Sequence, residues 1–473
     1  MGEERAMSFA HEAAVSEPSG MLISCDASMG GRNAASRHRM SVMVDRAGFS
    51  LLLLSLVALL LRPMDLIPSL EGTALYEALI AACLLVSLPR VASQVAWRRL
   101  TVNPVVALAL LMAPAVFASH VWAGSLWSAR HDAVDAIKSG LLFLLIVGHS
   151  DSPAKLRAVL STVAASVLAV TVVAVLNYYG VIHIATIQTV TQRAGEGVLF
   201  ERLCGTGIFN DPNDFSLILV LCLVVCAAVS TWRELGPRRY LVLIPLLMFG
   251  HALILTQSRG GIVAAGAGLV AFLGARYRWR NVVPVLALLG LVVMSPLLGR
   301  QTQWNVSNPD DTFQARLELW SSSLDVFRSS PLFGIGRGTL VDRIGQVAHN
   351  SYLHAFAELG LFGGLAFLGA FAVCLKGVWA CRGPDADLAR LRPFVLAAVA
   401  GYAAGLMSLT RCYTVSTQLL LALGAAYLTL IVRTGGIGVP RLNARTARFV
   451  ALTGVAFLAG TYITVRFMLS RGV

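Results

Sequence analysis

The stretch AHNSYLHAFAELGLFGG, Ala348 to Gly364, sets two histidines, an asparagine and a tyrosine against the start of a long apolar run. An imidazole has an ordinary pKa of about 6.5 and can take a proton near neutrality. His349 and Tyr352 are three residues apart, and Leu353 completes one turn from His349. His354 is five residues on, so on a helix it points to a different face. His349 is therefore the candidate base, with Asn350 and Tyr352 as polar neighbours. A histidine at a helix start can also be a polar cap, so its company matters. Arg259, Arg316 and Arg337 precede it in the chain. Arginine offers a fixed fork of donors suited to an anion, and a base beside such arginines is a working active-site arrangement.

Each arginine sits in a distinctive stretch. In LTQSRGGIVAAGAG (Leu255 to Gly268), Arg259 ends one helix and Gly260-Gly261 make a tight turn into the next. Amide groups at such a helix start favour an anion, whereas a snorkelling arginine is the plainer alternative. From Thr312 to Ser329, Phe313, Leu317, Trp320, Leu324 and Phe327 are spaced four, three, four, three, one face of an amphipathic helix. Ser329-Ser330-Pro331 ends it, and Arg316 borders its apolar stripe. Such a helix lies on the membrane surface or covers the helices beneath. PLFGIGRGTL follows; its glycines lack the strand–helix context of a nucleotide loop and instead make a turn that brings Arg337 close to something. Upstream, GTGIFNDPNDFSLIL (Gly205 to Leu219) reads as a capped helix start, with Asn210 as cap and Asn213 and Asp214 at its mouth. Asn213 and Asp214 could also hydrogen-bond sugar hydroxyls.

These residues must be positioned by membrane helices. Of 473 residues, 56% are hydrophobic and 13% charged, against about 25% charged in soluble domains. Apolar runs near the length of a membrane span recur from end to end. The spacing predicts helices at 48–62, 74–92, 104–123, 132–149, 157–178, 211–230, 240–256, 261–275, 282–298, 355–378, 393–410, 413–432 and 449–468. The fold expected is an all-α polytopic membrane protein. Residues 1–47 are expected as a flexible cytoplasmic tail without a signal-peptide pattern, 48–298 as transmembrane helices 1–9, 299–354 as a periplasmic loop, and 355–473 as helices 10–13.

With the amino terminus inside, 24 Lys/Arg fall on the inner side and 12 on the outer, which fits the positive-inside rule. The net charge of +13 thus reports orientation, and no basic–aromatic patch argues for nucleic-acid binding. Five of the twelve outer basic residues lie between Arg300 and Arg343, which topology does not explain. They call for an anionic partner. Most of the eight cysteines read as packing residues, Cys204 and Cys412 on the outer side are not expected to pair because nothing in the sequence brings them together, and no metal-ligand spacing is evident.

Taken together and in order, TQSRGG, Arg316-x-x-x-Trp320 leading to SPLFGIGRG, and HNSYLHAFAELGLFGG resemble the O-antigen ligase and polysaccharide polymerase superfamily of bacterial envelope proteins. The resemblance spans roughly Gly205 to Val432. It implies a GT-C-like, metal-independent glycosyltransferase without cofactor, multi-pass in the bacterial inner membrane, its active site facing the periplasm. Its partners would be an undecaprenyl-diphosphate-linked glycan, an acceptor glycan or lipid, and membrane lipids. Arg259 and Arg316, with Arg337 and Arg411, would hold the diphosphate and His349 would activate or orient the acceptor hydroxyl. Asn213, Asp214, Asn350 and Tyr352 would contact glycan. A polymerase role is favoured over a ligase acting on lipid A core or protein. The rivals are a lipid-linked oligosaccharide flippase, which should place charges mid-membrane, and a non-catalytic envelope scaffold.

Overall fold

Without water in the hydrocarbon layer, each backbone amide must be satisfied within its own segment, and apolar runs of this length become helices. The computed structural model describes residues 24–187, 189–193, 199–277, 283 and 313–470. The chain divides into two units, Met1–Ala47 and Gly48–Val473. The helices are α1 (Ser24–Leu61), α2 (Leu75–Val95), α3 (Pro104–Leu110), α4 (Met112–Trp122), α5 (Leu126–His149), α6 (Pro153–Tyr178), α7 (Pro212–Val229) and α8 (Leu243–Leu255). After them come α9 (Arg259–Arg276), α10 (Phe313–Ser329), α11 (Ser351–Ala380), α12 (Ala386–Gly405), α13 (Val415–Arg433) and α14 (Ala444–Ser470). A short antiparallel hairpin, β1 (Val190–Arg193) and β2 (Leu199–Arg202), precedes α7.

The protein is an all-α polytopic membrane protein. Among the described residues, nine helical stretches are long and apolar enough to cross a membrane. Side chains such as Leu85, Ile244, Leu247, Leu452 and Ile463 are exposed on their flanks, as lipid contact requires. Every expected span has a helix except 282–298, of which only residue 283 is described; Arg300 also lies outside the described residues. Two differences stand out. The run 104–123 is interrupted at Leu111, and α1 begins at Ser24, inside the segment expected as a tail.

Small residues let α9 and α12 approach closely. A Cβ on Gly401 would stand 2.7 Å from the Ala264 carbonyl oxygen, and one on Gly268 would stand 3.0 Å from that of Ala397. Contacts of this kind hold membrane helices together where no hydrophobic driving force acts between them. Because the obstacle is backbone, it cannot rotate away. Gly401→Ala is therefore expected to lower stability by about 1–3 kcal/mol, read as a lower melting temperature in detergent. An unchanged melting temperature would show that the pair is looser than its geometry.

Helix α10 covers the bundle rather than lying free. Leu317 and Leu324 are buried and Trp320 half-buried, packed against Leu353 of α11 and Val465 of α14. The amphipathic pattern of α10 is thus spent on protein.

Candidate active site

Helix α11 begins where the expected base stands. Asn350 caps it, its Oδ1 accepting from the amides of Tyr352 (3.1 Å) and Leu353 (3.2 Å). His349, just before the cap, has φ +49°, a left-handed conformation uncommon for a side chain of this size. Such a conformation persists only where its surroundings impose it. Here the chain is pinned on both sides. Trp320 of α10 donates its indole N–H to the Ala348 carbonyl at 2.9 Å. Ser351 donates its amide to Leu406 O (2.8 Å) and its hydroxyl to Leu409 O (2.6 Å), and accepts from the Arg411 amide (2.8 Å). His349, half-buried, is thereby held between α10 and the turn joining α12 to α13.

That turn also reaches α7. Asp211, and not Asn210, caps α7, its Oδ1 accepting from the amides of Asn213 (2.7 Å) and Asp214 (3.3 Å). The carboxylate one residue later in the chain simply has the better reach. Arg411 pairs through Nε with Asp214 and through a terminal nitrogen with Asp211 at 3.4 Å. Burial works against the Arg411 charge, but Asp214 beside it prevails and holds its pKa above the ordinary value. Arg411 is thus a joint between α7 and the start of α11, its charge balanced by two carboxylates.

Asn213 links α7 to α9. Its Oδ1 accepts from the Ser258 hydroxyl (2.9 Å) and from Arg202 (3.0 Å), whose Nε also donates to Thr256 O (2.9 Å). Ser258 caps α9 through the Gly261 amide (3.1 Å), so Arg259 opens the helix and the two glycines lie inside its first turn. The reversal expected at Gly260-Gly261 falls earlier, at Gln257 with φ +50°. The glycines serve close approach instead. A Cβ on Gly260 would meet Ser408 Oγ at 2.6 Å, and one on Gly261 would meet Ser216 at 2.7 Å. The starts of α7, α9 and α11 therefore meet through the 406–414 turn, three positive helix-dipole ends on one side of the bundle.

Arg259 and Arg316 are half-buried, Arg259 as the first residue of α9 at this junction and Arg316 on α10 one helical turn before Trp320. Arg337 meets the 406–414 turn at Tyr413. It donates to the Asp132 carbonyl of α5 at 3.2 Å and lies over the Tyr413 ring at 5.1 Å. It lines a small cavity of about 40 Å³ with Asp135, Ser139, Cys412, Tyr413 and Gln418. Two expected glycan contacts are interior. Asn350 is fully buried with Oδ1 committed to the cap, and Tyr352 is packed among Phe367, Phe371 and Phe457 with its hydroxyl donating to Ala403 O (3.0 Å).

The glycine-rich turn has a role that spacing did not reveal. Helix α11 breaks at Gly360 (φ 64°, ψ −161°), and residues 331–336 fill the break. Leu361 and Phe362 donate their amides to Pro331 O (2.7 Å) and Leu332 O (3.1 Å), while Gly336 donates to Glu358 O (3.0 Å). A Cβ on Gly334 would stand 2.2 Å from that Glu358 oxygen, and one on Gly360 would stand 2.4 Å from the Leu332 carbonyl. The buried Glu358 carboxylate ties the same two segments, accepting from the Leu340 amide (3.2 Å) and pairing with His354 (3.2 Å). His354 is thus in contact with a buried carboxylate one helical turn away.

Cys204 and Cys412 are free, buried thiols, and burial pushes the Cys204 thiol up to about 11. His131, Asp132 and Asp135 on α5 bring ligand atoms within 4.8 Å of one another, a grouping unseen as a metal spacing. Asp132 is held by His120 at 2.8 Å and Asp135 by Lys138 at 3.2 Å. Arg202 and Glu358 escaped the sequence reading altogether. The signal for Glu358 was a lone carboxylate in an apolar run two residues before a glycine.

Residues 241–368 match the family model Wzy_C, described as O-Antigen ligase. That stretch is similar to the O-antigen ligase family. The match takes in Arg259, Arg316, Arg337 and His349, together with the broken helix and its glycine-rich filler. Asn213, Asp214, Arg202 and Arg411 lie outside the matched O-antigen ligase segment, yet they form the junction against which it closes. No curated protein gives a significant match to the chain.

Proposed function

We propose that this protein is a glycosyltransferase. It moves a glycan from an undecaprenyl-diphosphate carrier to an acceptor sugar hydroxyl at the periplasmic face of the bacterial inner membrane. One observation carries the reading. His349 stands just before α11, whose start meets the starts of α7 and α9 through the 406–414 turn, and Arg259 opens α9 at that meeting point. In the reaction the acceptor oxygen bonds to the anomeric carbon while the bond from that carbon to the diphosphate oxygen breaks. His349 receives the hydroxyl proton, and the leaving diphosphate takes the electron pair. Arg259, Arg316 and the amides at the α9 start stabilise the charge that grows on that diphosphate. Arg411, balanced by Asp211 and Asp214, keeps the junction closed and is the positioning residue of the set. Arginines replace a divalent cation in this scheme.

The protein in lipid, given lipid-linked glycan and acceptor, is expected to release undecaprenyl diphosphate at an unchanged rate in EDTA. Loss of release on chelation, with recovery on adding a divalent ion, would overturn the metal-independent scheme. We favour polymerisation of lipid-linked repeats in exopolysaccharide or O-antigen synthesis over ligation. A strain lacking the gene should then accumulate single repeats on the carrier, whereas long carrier-bound chains would assign a ligase.

A further inference from the structure

The chain reaches Arg259 through a sharp corner. Between α8 and α9, Gln257 takes φ +50°, a left-handed conformation that a side chain of this length rarely adopts. Such a residue persists only where its flanks are held. Both flanking residues, Thr256 and Ser258, are fully buried. One side chain, Arg202 at the end of β2, serves both flanks. Its Nε donates to the Thr256 carbonyl at 2.9 Å, and a terminal nitrogen donates to Asn213 Oδ1 at 3.0 Å. The next residue, Leu203, donates its amide to Leu255 O at 3.0 Å, so backbone reinforces the hold.

Asn213 carries that hold to Ser258. A guanidinium can only donate, so the amide atom of Asn213 facing Arg202 is the oxygen. That oxygen has no proton to give, and the Ser258 hydroxyl at 2.9 Å must therefore donate to it. Ser258 Oγ is left with lone pairs for the Gly261 amide at 3.1 Å, the bond that caps α9. The direction of the capping hydroxyl is thus fixed from outside the helix it caps.

A tie between α7 and α9 needs only Asn213 and Ser258. The bond to Thr256 lies on the far side of Gln257 and adds nothing to such a tie. It fixes the direction in which the chain enters α9, and Arg259 is the first residue along that direction. We propose that Arg202 is a second positioning residue, acting on Arg259 through the Gln257 corner. It touches no reacting atom; it sets where the Arg259 guanidinium and the first amides of α9 stand. What Arg259 does there rests on the glycosyl-transfer reading above. The planar fork of arginine meets two acceptors at once, which a lysine ammonium does not reproduce.

The test uses the full chain in nanodiscs, read by undecaprenyl diphosphate release, melting temperature and amide hydrogen exchange. Arg202→Gln should lower the maximal rate by about 10–100-fold, the effect of a small misplacement made away from the chemistry. Arg202→Lys should do nearly the same, and a lysine variant at the wild-type rate would overturn the two-acceptor fork. In the Arg259→Ala background, Arg202→Gln should cost no more than about twofold, because a residue acting through Arg259 has nothing left to position. An equal loss in both backgrounds means a general loss of folded protein and overturns the proposal. Exchange needs no substrate: residues 256–262 should exchange faster in Arg202→Gln, and residues 350–353 should not. Unchanged exchange at 256–262 would overturn the clamp. Should Arg202→Gln fail to fold, Asn213→Ala enters the same cycle. Asn213→Asp keeps an oxygen for both donors and should stay within about twofold of wild type; a variant as poor as Asn213→Ala would overturn the link to Ser258. Arg259→Ala at the wild-type rate would overturn the leaving-group reading of Arg259, and exchange then decides the clamp by itself.

Discussion

His349→Asn is expected to lower glycan transfer by about 10²–10⁴-fold, the usual contribution of a positioned base, while leaving the protein folded. Asparagine is the informative replacement because of the backbone at this position. With φ at +49°, His349 occupies a conformation that asparagine tolerates better than alanine does. The Trp320 bond to Ala348 and the Asn350 cap should therefore persist, and lost activity can be assigned to the missing imidazole. Release of undecaprenyl diphosphate measures the first quantity and melting temperature the second. Full activity in this variant would remove His349 from the chemistry and favour the scaffold reading. A loss of activity accompanied by a collapsed melting temperature would instead make His349 a structural residue of the α11 start.

Arg259→Ala should cost about 10²–10³-fold in the maximal rate, the effect of deleting one charged donor from a developing anion. The residue opens α9 behind the Ser258 cap, so the same diphosphate would meet its guanidinium and the helix amides together. Arg259→Lys keeps the charge but loses the paired donors, and it should fall between wild type and alanine. A lysine variant as poor as alanine points to geometry, and one equal to wild type points to charge alone. If Arg259→Ala leaves the rate intact and only raises KM for the donor, the residue contributes uniform binding, and the proposed stabilisation of the leaving group fails.

How much of this was legible beforehand differs by residue. The helices follow from apolar runs because satisfying backbone groups inside lipid is a local requirement. The face of α10 was likewise readable from Phe313 to Phe327, since helical spacing puts those side chains on one stripe. Whether that stripe met lipid or protein depended on α11 and α14, which the spacing of α10 does not contain. Asp211 and Arg411 show the limit at the site. Each looks like an isolated polar residue at a helix end, and their pairing arises only when α7 and the 406–414 turn converge. Tyr352 shows the opposite error. It stands three residues from His349 in the sequence, but one turn of helix carries it into an aromatic cluster.

By itself the sequence determined a multi-pass helical bundle, the uneven placement of arginines, and the histidine before α11, because each depends on composition or short-range spacing. Only the tertiary structure decided which charges are already neutralised, why α11 breaks, and what holds His349. Those outcomes depend on pairs such as Asp214 with Arg411 and Pro331 with Leu361, where distant segments satisfy one another's polar groups. Charge pairing and backbone hydrogen bonding act through space at a few ångströms, and one chain's order of residues does not state which segments will come that close.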